Sequence, residues 1–558
     1  MLAPACRYLA FVAATTLLAP AGLRGIRPAD AGCRPGASVS LRVAATTDVH
    51  GHIRGWDYYE NRADPARGLS RAATIVDSIR SANRGKVALV DAGDMLQGTP
   101  LADIAARRSQ TRRNPIVAAM NTMHYDAVAI GNHEFNHGVP YLDSVVAQAQ
   151  FPLLAANVTR AGQLHAYKSF TIVDRAGVRI GIVGATTPGS DLWDSSNLAK
   201  ARMHIGDVVP AVRAAVKQAR DAGADVIVVV LHSGLDEPSS YDTVSTGVAS
   251  ENVAARVASE VPGIAALVYG HSHRENPGQM IGTTLVIQPK NWATSVAVVN
   301  LPMTCGASGM WTSGPVTGSV IQSAKHPEEA RVVSAVRQAH RETVRYVNSV
   351  IGSTPDAWRA DSARIAATGI TGFILDVERR AANAELASTA AFDLRSKLGP
   401  GPITVAQLAQ LYPYDNTLRA VRISGTQLKQ YLEFSSRYYA TRADRSLVVD
   451  TSVAGYNFDV VSGVDYTIDV SYPVGERVTT LTFRGRPVAA TDSFTLALSN
   501  YRQAGGGGYA MLQGAPLVYD RQQDIRQLLI DEVQRRHTLR ESDYDKHNWS
   551  FVKPGTTH

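Results

Sequence analysis

The chain has 558 residues, 45% hydrophobic and 19% charged, with 45 Gly, 26 Pro and 3 Cys, which excludes a small disulfide scaffold and a disordered chain. Single hydrophobic cores stop growing beyond roughly 250 to 300 residues, so at least two domains are expected. The net charge of +7 comes from 56 Lys+Arg against 49 Asp+Glu; with no basic run or interleaved aromatics, it reads as a solvated surface, and polynucleotide binding is not expected.

At the N-terminus Arg7 and the apolar run Tyr8 to Leu18 read as an export signal within residues 1–31, with small-residue cleavage patterns ending at Ala21 or Ala31. The run is shorter than the roughly 20 apolar residues of a membrane span, so no transmembrane anchor is expected. Mean hydropathy of -0.09 also excludes a polytopic membrane protein. Asp30 stands where a lipid-attachment signal has an aliphatic residue, so lipidation of Cys33 is not expected. The exported chain, periplasmic or secreted, keeps Cys33 and Cys305; one disulfide is open to it, and a cysteine metal site is not.

From residue 38 to 322 short apolar runs alternate with amphipathic segments. Val87 to Val90, Ala127 to Ile130, Leu153 to Ala156, Ile180 to Val183, Val226 to Leu231, Ala266 to Tyr269 and Leu285 to Ile287 have strand length and polar or Gly borders. With helices such as Leu69 to Ala82 and Asp207 to Ala222 between them, they predict an α/β layered domain. Leu301 to Ile321 is rich in Gly, Ser, Thr and Pro and marks a change. Pro327 to Val347 then carries Val332, Val336, Ala339, Val344 and Val347 at helical spacing, opened by Pro-Glu-Glu; it predicts a linker helix within 323–350. Residues 351–558 read as an α+β second domain, with a helical pattern over Ile370 to Lys397, a short helix at Thr404 to Leu411, and strands at Arg419 to Ile423, Tyr466 to Val470, Thr480 to Phe483 and Phe494 to Ser499.

The first domain's strands end in unusual residues. They close with Asp48-Val49-His50, Gly93-Asp94, Gly131-Asn132-His133-Glu134, His232 and Gly270-His271-Ser272-His273, which hold five of the chain's 15 His. Polar groups just past the carboxyl ends of strands line the crevice where open α/β sheets bind ligands. Asp48 and His50, two apart at a strand end, can point the same way, as can His271 and His273. A two-ion centre needs a bridging carboxylate plus O and N ligands from several segments; Asp94 is the natural bridge and Asn132 offers a neutral oxygen. The imidazole and carboxylate mixture suits two divalent ions drawn from Zn, Mn, Fe, Co or Ni.

This series resembles the calcineurin-like metallophosphoesterases. Tyr412-Pro413-Tyr414-Asp415-Asn416-Thr417-Leu418, Tyr456-Asn457-Phe458-Asp459 and Ser499-Asn500-Tyr501-Arg502 resemble the C-terminal substrate domain of the 5′-nucleotidase family. Within it the chain is most similar to the periplasmic 2′,3′-cyclic-nucleotide 2′-phosphodiesterase/3′-nucleotidase branch. The resemblance implies a layered β-sandwich flanked by helices and a nucleoside-binding C-terminal domain, acting on small nucleotides. It implies one ion on Asp48, His50, Asp94 and His273, and another on Asp94, Asn132, His232 and His271. His133 matches the catalytic imidazole, set to stabilise the transition state or protonate the leaving oxygen.

Many family members carry Asp three residues after that His, where this chain and the cyclic phosphodiesterase branch have an Asn, here Asn136; an amide orients the ring but adds no charge. For the base, Tyr501 matches one aromatic wall and Tyr414 is the choice for the other, with Phe458 the runner-up; Asn416 and Asn500 are polar contacts to base or ribose. In the glycine loop, Gly507 stands where the 5′-nucleotidases carry an Asp that bonds ribose. The expected activity is hydrolysis of 2′,3′-cyclic nucleotides and 3′-nucleotides in salvage, the alternative a 5′-nucleotidase or nucleotide-sugar hydrolase, and a more remote one a non-catalytic nucleotide-binding protein. Hinge motion is expected about residues 326–350.

Overall fold

The computed structural model describes residues 32–108, 113–414 and 416–553. The export signal read at residues 1–31, with its two cleavage points, lies outside the described residues, as does Asp415.

Strand Ser38–Thr46 pairs in parallel with Val87–Asp91 and antiparallel with Ser295–Cys305. Ala127–Ala129 and Leu153–Leu154 extend one side; Trp311–Ser313 and Thr317–Gln322 both pair with Ser295–Cys305, completing seven strands. A second sheet of six runs Asn276–Ile281, Thr284–Gln288, Ile264–Tyr269, Val226–His232, Val178–Thr186 and Phe170–Arg175. Strand alternation decides what each residue touches. Val43, Ala45, Val228 and Val230 face the other sheet and form the shared sandwich core. Ala44 and Leu89 face the helices that cover the first sheet, including Leu69–Ala82 and Pro115–Met123. Ile227, Val229 and Leu231 face Val208–Asp221 and Ala254–Glu260 on the second. Both faces are covered, which is why these runs are almost uninterruptedly apolar, each buried Val or Ile contributing about 1.5–3 kcal/mol.

The Gly, Ser, Thr and Pro-rich stretch 301–321 lies in the first sheet, where Trp311–Ser313 and Thr317–Gln322 are partly exposed strands. Two sequence expectations are corrected. The segment after that stretch holds two helices, Ala330–Ala335 and Arg337–Val347, and Pro327 and Glu328 precede them, with Glu329 as N-cap accepting from Arg331 N and Val332 N. Val332, Val336 and Val347 are buried in the first domain's helix layer, so the segment is packed rather than free. The helical pattern over Ile370 to Lys397 stops at Ala381, where Asn383 (φ 50) turns the chain, and Leu386–Ala390 is a fully buried central strand. Five uniformly buried residues, four of them small, carry no alternation to distinguish them from helix.

A disulfide joins Cys33 to Cys305, engaging the sulfur of Cys33 and tying the chain ahead of the first strand to the end of its neighbour. The second domain is a five-stranded sheet in the order Asp459–Ser462, Leu386–Ala390, Ser493–Ser499, Thr417–Ser424, Leu517–Asp524, plus a four-stranded one. Helix Gly425–Ser436, started by a capping box of Ser424 and Gln427, and helix Ile525–Arg536 pack against the five-stranded sheet in addition to the elements expected from the sequence. The domains meet through a buried Arg526 Nη1 to Asp103 pair (2.8 Å), Gln410 Nε2 donating to Tyr59 O (3.0 Å) and Ser196 Oγ donating to Asp520 (2.6 Å). Among the described residues no helix is long and apolar enough to cross a membrane.

Candidate dimetal active site

The strand ends converge in the cleft between the domains, and the backbone there is held in a costly conformation. Asp48 (φ 48), His50 (φ 47), Asp94 (φ 60), His271 (φ 75) and His273 (φ 55) are all left-handed. Such backbone costs about 1–2 kcal/mol per non-glycine residue and persists where surrounding structure imposes it, as at functional sites. The glycines between them make room: a Cβ on Gly131 would lie 2.2 Å from Asp94 Oδ1, and one on Gly270 would lie 2.1 Å from Thr47 Oγ1.

Asp48, His50 and His273 bring one ligand atom each within 4.8 Å of one another, and so do Asp94, His232 and His271. Asp94 Oδ2 stands between the two groups, 3.0 Å from His232 Nε2 and 3.8 Å from His50 Nε2. Asn132 Oδ1 lies 3.0 Å from His232 Nε2. Ring orientation fits ion binding. His50 Nδ1 donates to Gln97 O (3.0 Å) and His232 Nδ1 to Ala92 O (2.8 Å), which leaves each Nε2 lone pair facing the centre. His271 is turned the other way: its Nε2 donates to Glu251 Oε1 (2.8 Å), leaving the Nδ1 lone pair as the one available to an ion. Burial opposes ionisation of Asp94, yet His232 and His133 hold its pKa well below the usual carboxylate range, so its oxygens are available as charged donors. The imidazole, carboxylate and amide donors thus fit two divalent ions of borderline character.

Glu134 binds two of these loops together, accepting from Gly131 N (2.6 Å), Asp94 N (2.9 Å), Met95 N (2.8 Å) and Leu96 N (3.1 Å). His133 sits beside both donor groups: its backbone N–H donates to Asp94 Oδ1 (2.8 Å) and its ring is 5.2 Å from that of His50. Its Nδ1 is 2.6 Å from Asn136 Oδ1, and Asn136 Nδ2 donates to both oxygens of Asp194 (3.2 and 3.0 Å). Burial raises the pKa of Asp194 to about 6, with Asn136 and the His133 charge opposing the rise.

Across the cleft a cavity of about 460 Å³ is lined by His133, His271 and His273 from the first domain and by Phe392, Tyr414, Tyr456 and Tyr501 among others from the second. An adjoining one of about 250 Å³ is lined by Asn132, His133, Asn136, Trp193, Glu251, Asn416, Asn500 and Tyr501, among others. Tyr414 is 44% exposed and Tyr456 40%. Phe458, by contrast, is 1% exposed and packs on Tyr438, Tyr439, Trp549 and Phe551; it is a core aromatic, and its placement as a wall is corrected. Asn416 Nδ2 donates to Tyr412 OH (3.3 Å), and Asn500 Oδ1 accepts from Thr417 N (3.1 Å), which commits that oxygen to the backbone.

Residues 41–275 match the calcineurin-like phosphoesterase family and residues 350–514 the 5′-nucleotidase C-terminal domain. A 2′,3′-cyclic-nucleotide 2′-phosphodiesterase/3′-nucleotidase from Haemophilus influenzae is 30% identical over 590 residues, covering 92% of this chain and 88% of that protein. The chain belongs to the calcineurin-like phosphoesterases with a 5′-nucleotidase C-terminal domain. This phosphoesterase is a dimetal phosphoester hydrolase, as its family and two donor groups together establish. The trifunctional nucleotide phosphoesterase YfkN of Bacillus subtilis is 28% identical over 92% of this chain, which spans 39% of that protein's length. The structure of a putative 5′-nucleotidase from Staphylococcus aureus superposes with a TM-score of 0.77 at 24% identity, covering 92% of this chain and 100% of that one, and shares the fold.

The sequence reading did not reach Glu251, Asp194 or Trp193, whose ring stacks on His271 at 5.9 Å. All three sit in connecting segments, away from the strand-end pattern that singled out the others. Tyr456 was within reach: it lies in the same quoted motif as Phe458, two residues earlier.

Proposed function

We propose that the chain hydrolyses 2′,3′-cyclic nucleotides and 3′-nucleotides. The observation that carries this over a 5′-nucleotidase reading is the packing around Gly507. Its φ is +73, and a Cβ there would lie 2.2 Å from Asn457 Oδ1 and 2.5 Å from Arg502 Nη1. Arg502 cannot yield easily: it is buried and paired with Asp459 through Nε (2.8 Å) and Nη2 (2.7 Å). The ribose-binding acid of the 5′-nucleotidase pattern could enter here only by displacing Asn457 or Arg502. The Haemophilus influenzae relative named for the cyclic and 3′ activities supports the same reading.

Two divalent ions held by Asp48, His50, Asp94, Asn132, His232, His271 and His273 would supply Lewis acidity to the phosphoryl group. The protein's own groups do the rest. Asp94 holds the two donor groups in register and accepts from His133 N, which fixes the catalytic ring beside them. With Nδ1 committed to Asn136, His133 has Nε2 free to hold a proton and pass it to the departing ribose oxygen. Tyr501 and Tyr414 grip the base by stacking, which accepts any base, and Tyr456 extends that surface. Asn416 and Asn500 contact base or ribose from the adjoining cavity. The disulfide and the N-terminal apolar run support an exported, periplasmic or secreted, salvage enzyme.

The test is a side-by-side measurement of kcat/KM for 2′,3′-cyclic AMP, 3′-AMP and 5′-AMP with metal-reconstituted protein. Higher values for the first two are expected. A higher value for 5′-AMP would move the assignment to the 5′-nucleotidases.

A further inference from the structure

We propose that Asp194 is a positioning residue for His133, acting through Asn136 in a hydrogen-bonded relay that runs carboxylate, amide, imidazole. The inference rests on the reading of His133 as the group that handles a proton beside the ions.

The relay follows from donor and acceptor inventory. An ionised carboxylate only accepts, so the side of Asn136 that faces Asp194 at 3.0 and 3.2 Å must be its amide nitrogen. The amide oxygen then faces His133 Nδ1 at 2.6 Å and can only accept, so Nδ1 must carry the hydrogen. One carboxylate thereby sets the rotamer of the amide and the tautomer of the imidazole, and leaves Nε2 as the atom that changes protonation. Without it the amide could flip, present its NH₂ to the ring and force the opposite tautomer.

Two further observations separate this from an incidental contact. Asp194 precedes helix Ser195–Ala201 as its N-cap residue, where an Asp side chain ordinarily caps the helix, yet it makes no side-chain capping bond. Its carboxylate is turned to Asn136 instead. The two segments are also pinned to each other independently: Asn197 Nδ2 donates to Phe135 O (3.0 Å) and to Asn136 O (3.3 Å), so the amide and the carboxylate are held in register from both sides. Asp194 is buried, 5% exposed, at the wall of the smaller cavity that Asn136 also lines. Arg419 of the second domain reaches the same segment, donating from Nη2 to Trp193 O (3.5 Å). The negative charge missing from position 136 is thus supplied one residue further out.

The test is a double-mutant cycle in which the charge is moved along the relay. D194N removes the charge at constant shape; N136D places a carboxylate directly against His133 Nδ1 and sets its second oxygen against Asp194, 3.0 to 3.2 Å away in the present geometry, so the outer carboxylate then repels the inner one instead of orienting it. For turnover of 2′,3′-cyclic AMP, D194N should lower kcat by about tenfold or more in the natural background while KM stays within about twofold, because orientation of a proton-handling group is lost and substrate grip is not. In the N136D background the same D194N change should cost less than about threefold. Melting curves and bound-metal content of each variant establish that the fold and the ions are retained. A kcat for D194N within twofold of the unaltered protein, or an equal loss in both backgrounds, would overturn the relay while leaving the functional reading in place. An unaltered protein that hydrolyses no phosphoester would overturn both.

Discussion

Replacing Glu251 with Gln removes a negative charge from behind His271 while keeping side-chain volume. In the structure one oxygen accepts from His271 Nε2 (2.8 Å) and the other from Ser240 N (2.5 Å). Burial alone would raise the pKa of this carboxyl, but the His271 and Ser240 bonds hold it below its ordinary value, so Glu251 is the charged partner. A Gln amide has one acceptor oxygen for these two donors, so one buried N–H is left facing an NH₂ group, at a cost of about 1–3 kcal/mol. Part of that cost falls on the orientation and basicity of His271, and loss of such an outer partner typically weakens metal affinity about 10- to 100-fold. E251Q should therefore bind one of its two ions about tenfold more weakly. The other, on Asp48, His50 and His273, should change by less than about twofold, since Glu251 touches none of its ligands. Competition of Mn²⁺ or Zn²⁺ against a chromogenic chelator, read as two successive affinities, measures this directly, and excess metal should restore turnover. Two unchanged affinities, or two equally weakened ones, would refute the reasoning.

Tyr501→Ala should raise KM for nucleotides about 5- to 150-fold, the equivalent of the 1–3 kcal/mol that stacking on one aromatic is worth, and leave p-nitrophenyl phosphate almost unaffected. F458A should instead destabilise the second domain by about 3–5 kcal/mol with little change in KM, and denaturant unfolding beside steady-state kinetics distinguishes the two. Glu328 joins the linker to the first domain, accepting from Arg54 Nε (2.7 Å), Gly55 N (3.0 Å) and Ser70 Oγ (2.8 Å). Although burial opposes it, these bonds lower its pKa from 4.5 to about 2. The folded value lies below the unfolded one, so the stabilisation is fully present above about pH 4.5 and fades as pH falls toward 2; discounted for its partial exposure it is about 2 kcal/mol. The Tm gap between the unaltered protein and E328Q should narrow from pH 7 to pH 3.5, and a gap independent of pH counts against the assignment. Cys305→Ser opens a bridge between residues 272 apart; chain entropy sets a ceiling of about 5 kcal/mol on the loss, so thermal melting should shift down while kcat is unchanged.

Much of the first domain was legible because its chemistry is written in contiguous runs. Most strands are short apolar segments buried on both faces, and five of them lead into segments that carry Asp, Asn or His together, a clustering that points to ligands. The second domain was less legible. Leu386–Ala390 is a strand of mostly small residues with no alternation, and Leu517–Asp524 mixes Asp, Arg and Gln with its apolar positions, so neither carries a period that single-sequence reading can catch. The exposed and buried aromatics of Tyr456-Asn457-Phe458 are chemically equivalent in the sequence; only the turn at Gly455–Asn457 sends the first into the cleft and the second into the core.

Sequence alone determined the fold class, the donor types at the strand ends and the imidazole beside them, since ligand chemistry depends on residue identity and strand-end placement on local pattern. Tertiary structure decided how those donors are aimed and charged. Glu251 lies 20 residues from His271 and Asp194 lies 58 from Asn136. Which carboxylate stands behind which ring depends on how separate connecting segments pack, and no local periodicity encodes that. The same holds for Gly507, whose meaning is set by Asn457 and Arg502 pressing against it from another loop and a neighbouring helix.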